Sequence, residues 1–178
     1  PVDDRPAFAP KPLRMDGRYV ALIPLGAAHA PELLACLLED DQDTLHRYTA
    51  DEAVRTLDDM RRVIADKLAL PAAYFACHNL DSGRIAGFAS LMRADLAHRV
   101  VEIGNVLFTR PLRRSRAGTE AIYLLIRHAI EDLGFRRVEW KCNDRNAPSR
   151  HAALRYGFTF EGVFRQHMIV KGRNRDTA

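Results

Sequence analysis

The chain has 178 residues, 47% of them hydrophobic and 28% charged, a length and balance expected of one folded domain that needs no disulfide or metal staple. This composition excludes disorder over most of the length, and with no apolar run of about 18 residues it excludes a transmembrane helix. The net charge of +4 is unevenly divided: residues 1–109 carry 12 Lys+Arg against 16 Asp+Glu, and residues 110–178 carry 15 against 7.

A basic second half points to a polyanionic partner, either a phosphate-bearing cofactor or nucleic acid. Cys36, Cys77 and Cys142 are widely separated, and no C-x-x-C or C-x-x-H pair occurs. They read as buried thiols of a protein in a reducing cytoplasm. No pair of histidines has metal-ligand spacing with a carboxylate partner, so no metal site is expected.

Residues 1–15 read as a Pro-bearing arm of the kind in which mobility concentrates, without the apolar core of a signal peptide. The domain is expected over residues 16–178. Tyr19–Ile23 reads as the first strand, stopped by Pro24 and Gly26. Pro31 suits a first helical position, with Leu33, Leu34, Leu37 and Leu38 on one face and the acidic Glu39, Asp40, Asp41 and Asp43 at the end. Thr49-Ala50-Asp51-Glu52 has the form of a capping box, predicting a second helix through Ala53, Leu57, Met60 and Ile64 to about Leu68.

Three antiparallel strands follow: Ala73–Cys77, Arg84–Met92 and Arg99–Phe108, the first two joined by an Asp81-Ser82-Gly83 turn. Arg110-Pro111 ends the third. Thr119–Leu133 is a predicted helix with Gly134 at its C′ position, Arg137–Trp140 a short strand, and Asn146–Tyr156 a helix closed by Gly157. Phe158–Arg165 and Gln166–Val170 are the last two predicted strands. A further strand begins near the last residues, which continuing chain or a partner in a homodimer would complete.

The segment from Arg110 to Thr119 joins a strand to a helix and holds four arginines, Arg110, Arg113, Arg114 and Arg116. Backbone N–H groups near Gly118 and Thr119 would open the helix without intrahelical acceptors, and guanidinium groups flank them. It is an anion site suited to a pyrophosphate or a solvated basic loop. A Walker A loop is excluded, because no Gly-Lys-Ser/Thr is present.

Strand, Arg113-x-x-Arg116-x-Gly118, helix, strand, and Asn146-x-x-Ser149 ahead of Tyr156-Gly157-Phe158 together resemble the GNAT superfamily of acyl-CoA-dependent N-acetyltransferases. Thr119-Glu120-Ala121, Glu139–Asn143 and Lys171–Thr177 are similar to its RimJ/RimL-type branch. The resemblance implies a single-domain α/β (α+β) fold: a mixed, strongly twisted sheet, helices on both faces, and splayed fourth and fifth strands (Arg99–Phe108 and Arg137–Trp140). It also implies acetyl-CoA as co-substrate, with its pantetheine on the backbone of Val106, Leu107 and Phe108 and near Asn146. Its pyrophosphate would lie on Arg113, Arg114, Arg116, Ala117, Gly118 and Thr119. Arg116 departs from the family pattern, which has glycine there.

The acceptor implied is a primary amine, on a small molecule or a protein N-terminus, attacking directly in a ternary complex. Amide formation needs a base for the amine and a proton for the departing thiolate. Glu102, amid Val100, Val101 and Ile103, matches a Glu of the RimJ/RimL-like strand and would have a raised pKa if buried in apolar surroundings. The tyrosine that many family members use as acid is replaced by Ala153, so Ser149 is the candidate donor; the alternative for it is a first-turn cap. His46 and Tyr48, between the first two helices, and Phe88 and Ser90 on the third strand are candidates for acceptor binding. Two other readings are a non-catalytic basic module for RNA or a ribosomal surface, and a degenerate acyl-CoA sensor. The first is disfavoured because aromatic and basic residues are not interleaved.

Overall fold

The computed structural model describes residues 4–178. Six strands form one sheet in the order β1-β2-β3-β4-β5-β6: β1 (Met15–Asp16), β2 (Val20–Pro24), β3 (Ala72–Asn79), β4 (Arg84–Asp95), β5 (Val100–Phe108) and β6 (Arg137–Glu139). Neighbours are antiparallel from β1 to β5, and β6 joins β5 in parallel. At the β3–β4 turn the Asn79 side chain accepts from the N–H groups of Asp81 and Ser82, and Gly83 takes φ +65°.

Alternation along the strands sends apolar side chains to both faces, as expected of a sheet covered on both sides. Helices α1 (Ala30–Leu38) and α3 (Leu57–Leu68) place Leu33, Leu37, Met60 and Ile64 against Tyr74, Ala76, Phe88 and Leu107. Helix α4 (Arg116–Arg127) covers the other face, with Ala121, Ile122 and Leu125 on Phe75, Ala89, Val101 and Ile103. Helix α5 (Ala147–Arg155) follows β6, and Tyr156 and Phe158 at its end pack on Trp140 at 5.6 and 5.8 Å. All three cysteines are free and buried. Among the described residues no helix is long and apolar enough to cross a membrane.

Four expectations change. The capping box lies at Thr56, not Thr49: its hydroxyl accepts from the Asp59 N–H, and the Asp59 carboxylate accepts from the Thr56 N–H. Residues 50–56 stay outside the helix: Val54 is buried, and the Gln42 amide bonds both its N–H and its C=O at 2.7 Å. A short unexpected helix, α2 (Gln42–His46), is capped by Asp41. Helix α4 starts three residues before Thr119, at Arg116, with Ser115 as its N-cap. The last turn before Gly134 widens into a π turn over His128–Asp132.

The closing strands also shift. They are β7 (Phe164–Val170) and β8 (Arg173–Thr177), joined by Lys171 and Gly172 at φ +50° and +70°. Both turn residues have positive φ, the type I′ sense that suits a two-residue hairpin. Phe158–Val163 has no strand partner, so its alternation is not used. β8 instead meets the continuation of β6, with Cys142 and Ala178 exchanging both backbone hydrogen bonds. The hairpin tip is held by Lys171, whose ammonium donates to the carbonyls of His46 and Asp51 and pairs with Glu52 at 3.5 Å.

Gly118 lies where α4 crosses the loop from β5: a Cβ there would stand 2.1 Å from the Leu112 carbonyl oxygen. Gly118→Ala is expected to cost about 1–3 kcal/mol by overpacking, read as a lower urea midpoint with an unchanged slope. The His46 imidazole is 5% exposed with neither nitrogen hydrogen-bonded, and burial holds its pKa below the ordinary value. The unfolded chain therefore binds the extra proton first as pH falls, so stability is complete above about pH 6.5 and declines below it. His46→Phe is expected to lose less stability than the parent between pH 7.5 and 5.5 in urea titrations; equal losses would remove His46 as the cause.

Candidate active site

Strands β5 and β6 pair at only three rungs, Val100↔Arg137, Val101↔Val138 and Glu102↔Glu139. Beyond Glu102, β5 continues through Phe108 with β4 alone beside it, so one edge of Ile103–Phe108 faces a V-shaped gap. Backbone groups along that edge lack a sheet partner, which is the requirement for holding an extended amide-bearing ligand. The register to β4 also breaks here: Phe88 faces Leu107, while Ser90 faces Gly104. The extra residue is a bulge at Asn105, φ +49°, whose amide donates to the Tyr74 hydroxyl at 2.6 Å. Such bulges re-aim backbone and side chains beside functional sites. Val106, Leu107 and Phe108 all lie on this free stretch.

Glu102 is 4% exposed, as its sequence setting suggested, yet its surroundings are charged rather than apolar. Oε2 accepts from Arg93 at 2.9 Å and from Lys141 at 3.1 Å, and Lys141 also bonds Glu139. Oε1 takes part in neither bond and turns toward Gly104. Burial works against the Lys141 ammonium, but Glu139 and Glu102 outweigh it and hold its pKa above the ordinary value. For Glu139 burial likewise opposes ionisation, and Lys141 and Arg137 bring its pKa below the usual carboxylate range. Sequence reading missed Arg93, Lys141 and Glu139. The alternation of Glu139, on the short strand, and Lys141, just beyond it, was the available sign that they share a face with Glu102.

Ser149 lies on the opposite side of the sheet. Its Oγ accepts the Trp140 indole N–H at 3.0 Å, so its hydroxyl proton is the donor it offers its other neighbours. Its own N–H is taken by Asn146 Oδ1, so Asn146 is the N-cap of α5. The Cys142 thiol is beside it, pushed up mainly by burial and drawn back by the Ser149 hydroxyl. Tyr156 is a packing residue against Trp140, and Ala153 presents no hydroxyl.

At the arginine-rich loop the N–H groups differ from those expected. The Gly118 N–H is taken by Ser115 Oγ at 3.0 Å, and the Thr119 N–H by the Ser115 carbonyl. Arg116 and Ala117 open the helix instead, and their N–H groups have no intrahelical acceptor. Arg113 is committed to Asp40, whose carboxylate also accepts the Arg110 N–H at 2.8 Å. The left-handed backbone falls at Arg114, φ +56°, so Arg116 occupies a helical position that needs no glycine. Its guanidinium lies over the Tyr19 ring at 5.6 Å, beside a groove of about 600 Å³ that Arg114, Thr119 and Arg155 also line.

The four acceptor candidates are not brought into one cluster. His46 is on α2, with Tyr48 just beyond it. Phe88 is packed edge-on against Tyr74 at 6.3 Å in the core, and the Ser90 hydroxyl donates to the Gly104 carbonyl at 2.9 Å. All belong to the face of the sheet that also carries Glu102.

Residues 20–159 match the family model of the acetyltransferase (GNAT) domain, while a search of curated proteins returned no match. The structure is similar to that of a GCN5-related N-acetyltransferase from Brucella melitensis, with 39% identity and a TM-score of 0.94 over 97% of this chain and 79% of that one. It is also similar to a probable GNAT-family acetyltransferase from Chromobacterium violaceum, with 38% identity and a TM-score of 0.88 over 97% and 87% of the two chains. The microcin C7 self-immunity acetyltransferase MccE, in complex with acetyl-CoA and AMP, shares the fold at 24% identity and a TM-score of 0.74, over 90% of each chain. With its splayed strands, its helix-opened loop and a family match across most of its length, the chain belongs to the GNAT family and is an N-acetyltransferase.

Proposed function

We propose that the chain moves an acetyl group from acetyl-CoA to a primary amine by direct attack, with Glu102 as the base and Ser149 as the proton donor. The observation that carries this reading is the free edge of β5 beyond Glu102, which puts a buried carboxylate on one side of the gap and a hydroxyl on the other. The RimJ/RimL-like wording of residues 119–121, 139–143 and 171–177 supports a protein N-terminus or a small amine as acceptor.

The residues present fit acetyl-CoA. The N–H groups of Arg116 and Ala117, with the Arg114 and Arg116 guanidinium groups, form an anion site at a helix N-terminus. Arg113 serves that site as a strut through Asp40. Val106, Leu107 and Phe108 offer the free backbone edge, and MccE, which shares the fold, is complexed with acetyl-CoA. Acetyl-CoA supplies the acyl group as a thioester. Glu102 Oε1, outside the ion pairs, takes the amine proton, directly or through one water. Backbone N–H groups at the Asn105 bulge are donors for developing charge on an oxygen, and the Ser149 hydroxyl donates toward sulfur.

Glu102→Gln should lower kcat by about 10²–10⁴. Unchanged turnover across pH would remove Glu102 as the base. Titrating acetyl-CoA by calorimetry should give a saturable heat that the Arg114→Ala/Arg116→Ala variant weakens. At 100 times its dissociation constant the ligand should stabilise the fold by about 2.7 kcal/mol. Absence of both heat and stabilisation would overturn the reading.

A further inference from the structure

One cation on the Glu102 side of the sheet has nothing to bind. Arg175, on β8, is partly buried, its Nε is fully enclosed without a hydrogen-bond partner, and it makes no ion pair. Burial lowers its pKa. Cys142 and Glu102 act in its favour and Arg93 against it, which places it in the same charged group as the proposed base. The carboxylates of that group are already engaged: Glu102 by Arg93 and Lys141, Glu139 by Lys141 and Arg137. The hairpin that carries Arg175 is fixed to the α2–α3 side by Lys171, through the His46 and Asp51 carbonyls.

A guanidinium whose nitrogen is enclosed without an acceptor is costly. Its planar fork of donors matches a carboxylate or phosphate better than any neutral group. We propose that the acceptor amine also carries an acidic group, a carboxylate or a phosphate, and that Arg175 binds this group while Glu102 faces the amine. The inference rests on the reading of Glu102 as the base. Arg175 is then a specificity-determining residue, and the substrate class is an amine that is itself an anion.

The test is acetyl transfer from acetyl-CoA to matched pairs: an α-amino acid against its primary amide, and phosphoethanolamine against ethanolamine. The wild type should favour the anionic member in one pair or both, and the pair concerned tells carboxylate from phosphate. Arg175→Ala should raise KM for that member about tenfold to hundredfold, with kcat and the neutral member little changed. Arg175→Lys should restore part of the loss, and it keeps the test usable if the alanine variant fails to fold. A wild type that acetylates the anionic members no better than the neutral ones overturns the proposal. Equal loss on both members in folded Arg175→Ala and Arg175→Lys proteins overturns it too. If acetyl-CoA itself fails to bind, the transferase reading fails first.

Discussion

The last rung between β5 and β6 governs the architecture of the site. Two carboxylates, Glu102 and Glu139, face each other there on adjacent strands. Like charges directly opposite in a sheet repel. Lys141, two residues on along the β6 continuation, bonds both of them, and Arg93 adds a second cation to Glu102. A charged rung is therefore tolerated inside the sheet at the point where the two strands part. The backbone beyond it is left unpaired, and the bulge at Asn105 redirects it further.

This divergence gives the sheet two chemically distinct sides. On one side, α4 and α5 bring the helix-opening N–H groups of Arg116 and Ala117, the Trp140 indole and the Ser149 hydroxyl. On the other, α1 to α3 and the β7–β8 hairpin surround Glu102, Asn105 and Tyr74. The gap connects the two, so with the proposed roles of Ser149 and Glu102 a group held in it would meet the acid from one side and the base from the other. Neither side alone has both. Arg93, Lys141 and Arg175 come from β4, the segment after β6 and β8, so the charge around Glu102 is a property of the assembled fold.

Local patterns carried much of this arrangement. Alternation marked β3, β4 and β5, Gly134 and Gly157 marked helix ends, and Glu102 stood out as a charge in an apolar run. What failed depended on contacts distant in sequence. Thr49-x-x-Glu52 fits the capping-box pattern better than Thr56-x-x-Asp59, and the Gln42 bonds to Val54 decide for the second. Phe158–Val163 alternates like a strand but lacks a partner, whereas Arg173–Thr177 is polar and becomes one because a tight turn places it beside β7. The Arg113–Asp40 pair spans 73 positions. No spacing rule would have withdrawn that arginine from the anion site.

Asp40 sits between α1 and α2, the helices on the side proposed to bind the acceptor, yet its carboxylate ends on the loop that opens α4. One side chain thus belongs mechanically to both halves of the molecule. The order it imposes on the loop is order shared with the α1–α2 turn, so tightening one tightens the other. By thermodynamic linkage, any free energy with which a loop ligand alters the acceptor side is returned in equal amount when the acceptor acts on the loop. The two substrates would then sense each other's presence without touching.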